Sequence, residues 1–239
     1  MVVCCAALLG GATGFGYALL SAPLLLLLGF RLEFVVTANL ALAVLTRVSV
    51  VYRFRKDVDR RRAALLILSS VPGLYAGTRI LTGVDRSLIR LATGLIVMLV
   101  TLLLARSVAA PAPPRVPGAG HPLAAAVAGF LGGVLGTTTS LSGVPPVLLL
   151  ARERAAARSF QADLATYFVV ANTIALALLS ARGALVRQAL FPAAALWLPG
   201  ALLGNFAGVA LGTRLPERAF RWLTLAIAFT AGAVTALTA

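Results

Sequence analysis

A chain of 239 residues that is 60% hydrophobic and 12% charged carries about half the charged fraction of an ordinary soluble domain. With a mean hydropathy of +0.98, its surplus apolar surface must face lipid, which excludes a conventional soluble fold. The net charge of +14 does not make a nucleic-acid binder, because the arginines fall between apolar segments, where cytoplasmic loops of membrane proteins concentrate them.

The first apolar segment, residues 2–28, opens on Val2-Val3-Cys4-Cys5 without a basic n-region, so no cleaved leader is expected. Cys4 and Cys5 are adjacent and set no disulfide framework; they read as inert small residues or as thiols beside a path. The run Gly10-Gly11-Ala12-Thr13-Gly14-Phe15-Gly16, followed by Pro23, breaks this segment at membrane depth. Three uninterrupted spans follow at 34–52, 63–81 and 88–104, each long enough for about one bilayer crossing. Residues 107–122 hold five prolines and read as an extended linker. A second broken segment, 123–150, carries Gly132-Gly133, Gly136, Thr137-Thr138-Thr139-Ser140, Ser142-Gly143 and Pro145-Pro146, and three more spans follow at 162–179, 190–211 and 222–237. The expected fold is an all-α polytopic membrane protein with about eight hydrophobic segments. Its expected parts are a first transmembrane repeat over 1–106, the linker 107–122 and a second repeat over 123–239.

The halves share landmarks in order. Ala38-Asn39-Leu40-Ala41 matches Ala162-Asp163-Leu164-Ala165, Gly73 and Gly77 match Gly204 and Gly208, and Arg90 matches Arg221. Matched glycine breaks in two halves are a sequence pointer to a transporter's binding site. Basic residues test how the halves are related. If both broken segments span fully, the loops divide them ten and ten. If both re-enter as hairpins, the division becomes fourteen inside and six outside, Arg47 being left out as intramembrane. The orientation rule favours hairpins, and with them inverted repeats.

Several residues are candidates for the site. Half-helix N-termini present N–H groups and partial positive charge to an anion. Thr13, Gly14 and Gly16 lie at the first break; Thr137, Thr138, Thr139, Ser140, Ser142 and Gly143 lie at the second. Serine, threonine and glycine also serve simple close packing of membrane helices, so both readings stand for these positions. Asn39 and Asp163 form a repeat-equivalent polar pair. Asp163 is a candidate for proton coupling, or else a helix cap or a partner of Arg158. Arg47, inside the second span, is a candidate for the anion path, or it snorkels to the headgroups. Asn172 is polar in mid-span and should face protein or substrate. The glycines at 200, 204, 208 and 212 form a four-residue ridge for helix packing.

At these motifs the chain resembles the TauE/SafE family of sulfite and organosulfonate exporters. Gly11-Ala12-Thr13-Gly14-Phe15-Gly16 with Pro23-Leu24 is similar to the family's first signature, and Gly133, Gly136-Thr137 and Ser142-Gly143-Val144-Pro145-Pro146 to its second. Val144 stands where glycine is common, and Ser159-Phe160-Gln161-Ala162-Asp163 replaces a phenylalanine-arginine-alanine-threonine stretch. The resemblance implies permeation or efflux of a small sulfur-containing or carboxylated anion.

The sole histidine, His121, lies in the linker, so no serine or cysteine has a base of the kind that activates a nucleophile. No cluster has metal-ligand spacing, and neither cofactor nor metal is expected. The alternatives are a permease for a carboxylate or another solute, and a non-transporting scaffold. Expected partners are a small anion and the bilayer, with no nucleic acid and with homo-oligomerisation left open. The arginine-rich, lysine-poor composition (Lys56 alone) places the chain in a bacterial inner membrane.

Overall fold

The computed structural model describes residues 2–13, 16–109, 122–153, 155–183, 187–211, 226 and 229–237. The described residues contain nine helices: α1 (Val2–Thr13), α2 (Tyr17–Leu27), α3 (Leu32–Phe54), α4 (Arg60–Gly83), α5 (Arg86–Ala109), α6 (Pro122–Thr139), α7 (Val144–Arg152), α8 (Ala157–Ala181) and α9 (Arg187–Leu211). Residues 229–237 are also helical. Among the described residues five helices are long and apolar enough to cross a membrane: α3, α4, α5, α6 and α8. The expected spans at 34–52, 63–81, 88–104 and 162–179 lie on α3, α4, α5 and α8, and 190–211 lies on α9. Helix α5 runs to Ala109 and α6 starts at Pro122; residues 110–121, within the expected linker 107–122, lie outside the described residues.

Each glycine break separates two helices. With 12 and 11 residues, α1 and α2 are each about 16–18 Å long, short of a bilayer's hydrocarbon. Helix α6, with 18 residues, approaches a full crossing, whereas α7 has nine. Asp59 starts α4 by accepting the Arg62 amide at 3.1 Å, and Asp85 starts α5 by accepting the Ser87 amide at 2.7 Å, both N-caps. Helix α7 starts after Gly143 with prolines in its first turn, where a missing N–H breaks no intrahelical bond.

The chain groups into two compact units that interleave its halves. One comprises Met1–Asn39, Val84–Ala112 and Val186–Ala239; the other comprises Leu40–Gly83 and Pro113–Leu185.

In the second unit α6 packs on α4 through glycine. A Cβ on Gly73 would strike the Phe130 backbone, and one on Gly77 the Val134 carbonyl at 2.5 Å. From the other side, Gly129 faces Leu66 and Ser69, and Gly133 faces Ser70 and Leu74. Four residues forward on one helix match four forward on the other, so the two run parallel. Helix α7 then folds back. Gly136 faces Ser142, and Gly132 faces the Ser142 carbonyl at 2.7 Å and the Pro146 ring at 3.3 Å. In one straight helix residues 132 and 146 would stand about 21 Å apart. Here four residues back on α6 match four forward on α7, the signature of an antiparallel hairpin.

The first unit repeats this arrangement. Gly204 faces Cys4 and Leu8, and Gly208 faces Leu8 and Ala12, so α1 and α9 are parallel. A Cβ on Gly10 would lie 2.7 Å from the Tyr17 Cβ, whereas seven residues of straight helix cover about 10 Å. The chain therefore turns back between α1 and α2. At the open end of this hairpin Arg90 donates to the Leu26 carbonyl at 3.2 Å, and Arg86 pairs with Glu33 at 2.7 Å. Phe30, Phe34 and Trp197 form an aromatic cluster with ring centroids 5.4–5.6 Å apart.

Thus the glycine pairs Gly73 with Gly77 and Gly204 with Gly208 each receive the broken segment of the opposite half. Gly77→Val places branched carbons against the Val134 backbone. Overpacking of this kind costs about 1–3 kcal/mol, so the variant should melt lower in detergent than the parent. Gly83→Ala, which meets nothing within 4 Å, should melt as the parent does.

Candidate functional site

The second break is described in most detail. Thr137, Thr138 and Thr139 end α6 instead of starting α7, as the sequence order of glycines had suggested. Thr138 and Thr139 donate at 2.8 Å to the carbonyls of Val134 and Leu135, one turn back. The Thr137 hydroxyl lies 3.3 Å from the carbonyls of Gly133 and Leu74. A hydroxyl whose proton is engaged in this way keeps acceptor capacity, so in this arrangement the three protons point at carbonyls of the packed helices. Ser140 closes the helix at φ +62°, a left-handed conformation that costs a non-glycine residue about 1–2 kcal/mol. Its amide reaches the Gly136 carbonyl at 3.1 Å, and that of Leu141 reaches Leu135 at 3.2 Å.

Donors at the α7 start are fewer than its position suggests. Pro145 and Pro146 carry no N–H, and the Val144 amide is taken by the Leu141 carbonyl at 3.3 Å. What remains is the backbone amides of Ser142 and Gly143, and side chains. The Ser142 hydroxyl donates to Asn172 Oδ1 at 3.1 Å, and both residues are buried. That bond uses the amide's oxygen and leaves its N–H groups as donors. Gly143 admits Phe168, whose ring occupies the space a Cβ would need. The same ring lies 5.8 Å from the Arg47 guanidinium carbon. At 7% exposure, Arg47 is enclosed by protein. Helices α3, α7 and α8 therefore bring together Arg47, Ser142, Gly143 and Asn172, four of the expected residues. Phe168, which joins them, is invisible to pattern reading because a phenylalanine in an apolar helix looks like any core residue.

In the first unit Gly16 caps α2, whose first turn contains no proline. One turn on, buried Ser21 donates to buried Asn39 Oδ1 at 3.0 Å. A serine–asparagine pair therefore stands in each unit, but the asparagines are not repeat-equivalent: Asn39 corresponds to Asp163, not to Asn172. Gly14 and the Thr13 side chain lie outside the described residues.

Asp163 has a different setting from Asn39. It is fully buried and accepts the Asp59 amide on Oδ1 at 2.8 Å and Arg62 Nε on Oδ2 at 2.8 Å. Arg62 Nη2 forms an ion pair with the same oxygen, and Nη1 reaches Glu153 at 3.2 Å. Ser159 donates to the Asp57 carbonyl at 2.8 Å. Arg62 is thus the partner, in place of the expected Arg158, and the cluster fastens together the start of α4, the end of α7 and the start of α8. Because α4 and α6 are parallel, α6 also begins at this end. The second hairpin leaves from the end it started at.

Among the described residues no group of histidine, cysteine and acidic side chains could hold a metal. The sequence model of the sulfite exporter TauE/SafE family matches residues 1–235, so the chain belongs to that family of membrane transporters. No curated protein and no solved structure matches it.

Removing one partner of a buried ion pair costs about 3–5 kcal/mol. Asp163→Ala should therefore lower the melting temperature sharply. Adding Arg62→Leu should recover part of that loss, because the stranded guanidinium goes with it. Additive losses in the double-mutant cycle would show that the pair is not coupled.

Proposed function

We propose that this family member moves a small oxyanion, such as sulfite or an organosulfonate, outward across a bacterial inner membrane, and that the second hairpin holds it. The observation that carries this reading is Arg47. A guanidinium enclosed at 7% exposure within an apolar helix is costly and is useful where an anion must leave water. Beside it the Ser142–Asn172 pair supplies uncharged donors, which hold an oxyanion without trapping it as a full ion pair would. In the other unit Ser21, Asn39 and the start of α2 at Gly16 offer a matching set.

We place both hairpins as re-entrant, so that each half of the chain crosses three times and the halves are inverted. The shared end of α4, α6, α7 and α8 supports this placement, as does the fourteen-to-six division of basic residues. A cysteine introduced at Arg158 should resist a membrane-impermeant thiol reagent in intact cells. Ready labelling from outside would overturn the re-entrant placement.

In proteoliposomes, Arg47→Met should abolish sulfite and methanesulfonate flux while leaving the protein folded, and Arg47→Lys should retain part of it. Equal flux in Arg47→Met would remove Arg47 from the path. A carboxylate panel in the same vesicles separates a sulfur-oxyanion exporter from a carboxylate permease. Proton coupling at Asp163 would require its pair with Arg62 to open. Asp163→Asn tests this by comparing counterflow with flux driven by a pH gradient. Loss of the driven flux alone supports coupling; parallel loss of both, with a lower melting temperature, assigns Asp163 to fastening.

A further inference from the structure

We propose that Tyr167 donates a hydrogen bond to the transported oxyanion from within the second hairpin and sets its specificity. The inference rests on the oxyanion reading above and adds a residue that no motif points to. Tyr167 lies on α8, is completely buried, and its hydroxyl has no hydrogen-bond partner among the described residues. An unsatisfied buried hydroxyl is costly, and phenylalanine would fill the same space without that cost. The hydroxyl therefore calls for a function.

Its position supplies one. A Cβ on Gly132 would lie 2.5 Å from the Tyr167 hydroxyl oxygen, 2.7 Å from the Ser142 carbonyl and 3.3 Å from the Pro146 ring. The phenol oxygen thus sits where α6 and α7 face each other, in space that only a glycine at 132 leaves open. Tyr167 and Phe168 rings are neighbours with centroids 5.9 Å apart, and Phe168 is the ring against both Gly143 and Arg47. One stretch of α8 therefore directs a phenol, a ring beside a cation, and Asn172 at the same hairpin. A phenol is a neutral, directional donor. It suits a ligand with oxygens at fixed angles and gives little advantage to a spherical halide. A second buried phenol, Tyr17, stands at the start of α2 near Ser21.

The test measures binding of sulfite, methanesulfonate and chloride to purified protein in nanodiscs, with melting temperatures recorded alongside. Tyr167→Phe should weaken both oxyanions about ten- to a hundredfold, the worth of one hydrogen bond to a charged group. It should leave chloride unchanged and should not lower the melting temperature. Tyr52→Phe, at a residue 72% exposed, should match the parent. Unchanged oxyanion affinity in Tyr167→Phe, or equal weakening of all three anions, overturns the proposal for Tyr167 and leaves the transport reading standing. A lower melting temperature with unchanged affinity would instead give the hydroxyl to the Ser142 carbonyl. If the parent binds neither oxyanion, the transport reading and the Tyr167 proposal fall together.

Discussion

Backbone that leaves a helix inside a bilayer must be covered by protein, because each unpaired amide exposed to hydrocarbon costs several kcal/mol. The glycine breaks create this demand twice, and close helix packing meets it twice. Where Gly73 and Gly77 line α4, and Gly204 and Gly208 line α9, no side chain separates the backbones, and the first arm of each hairpin lies directly on its support. Such contacts gain dispersion energy and exclude lipid. The second arm can then double back without an exposed edge. The placement of Ser142, Asn172 and Phe168 follows from that packing.

The chemistry of the second hairpin is correspondingly spare. Its helix start contributes few amides, since prolines fill the first turn, and its threonines spend their protons on their own helix. Side chains carried by α3 and α8 take over. A guanidinium beside an aromatic ring, an amide and a hydroxyl are brought together there. The acidic residues that follow the hairpin in sequence, Glu153 and Asp163, are occupied elsewhere, joining three helix ends through Arg62.

Much of this was legible in the sequence, for physical reasons that also mark its limits. Hydropathy found α3, α4, α5 and α8 because lipid-facing helices must be apolar throughout. The breaks were visible because glycine and proline are costly in plain helices. The repeat landmarks Gly73, Gly77, Gly204 and Gly208 were visible as spacing, but their partners were not, since a glycine ridge does not say which helix it admits. The threonine run misled for a related reason: composition locates a turn to within a few residues, and three residues decide between the end of one helix and the start of the next. Arg62, Phe168 and Tyr167 were missed because a loop arginine and apolar-helix aromatics carry no signal until the fold brings them to a neighbour.

Exchange between the halves also has a consequence in time. The glycine face that receives helix α1, Gly204 with Gly208 on α9, lies about 200 residues further along the chain. At a synthesis rate of roughly 5–20 residues per second, α1 waits about 10–40 s in the membrane for its support. Helix α6, whose partner α4 precedes it, waits for nothing. The second hairpin can therefore dock as it emerges, whereas the first must be held by lipid or by the insertion machinery until α9 has been made. Of the two hairpins, the one earlier in the chain is thus the later to find its support.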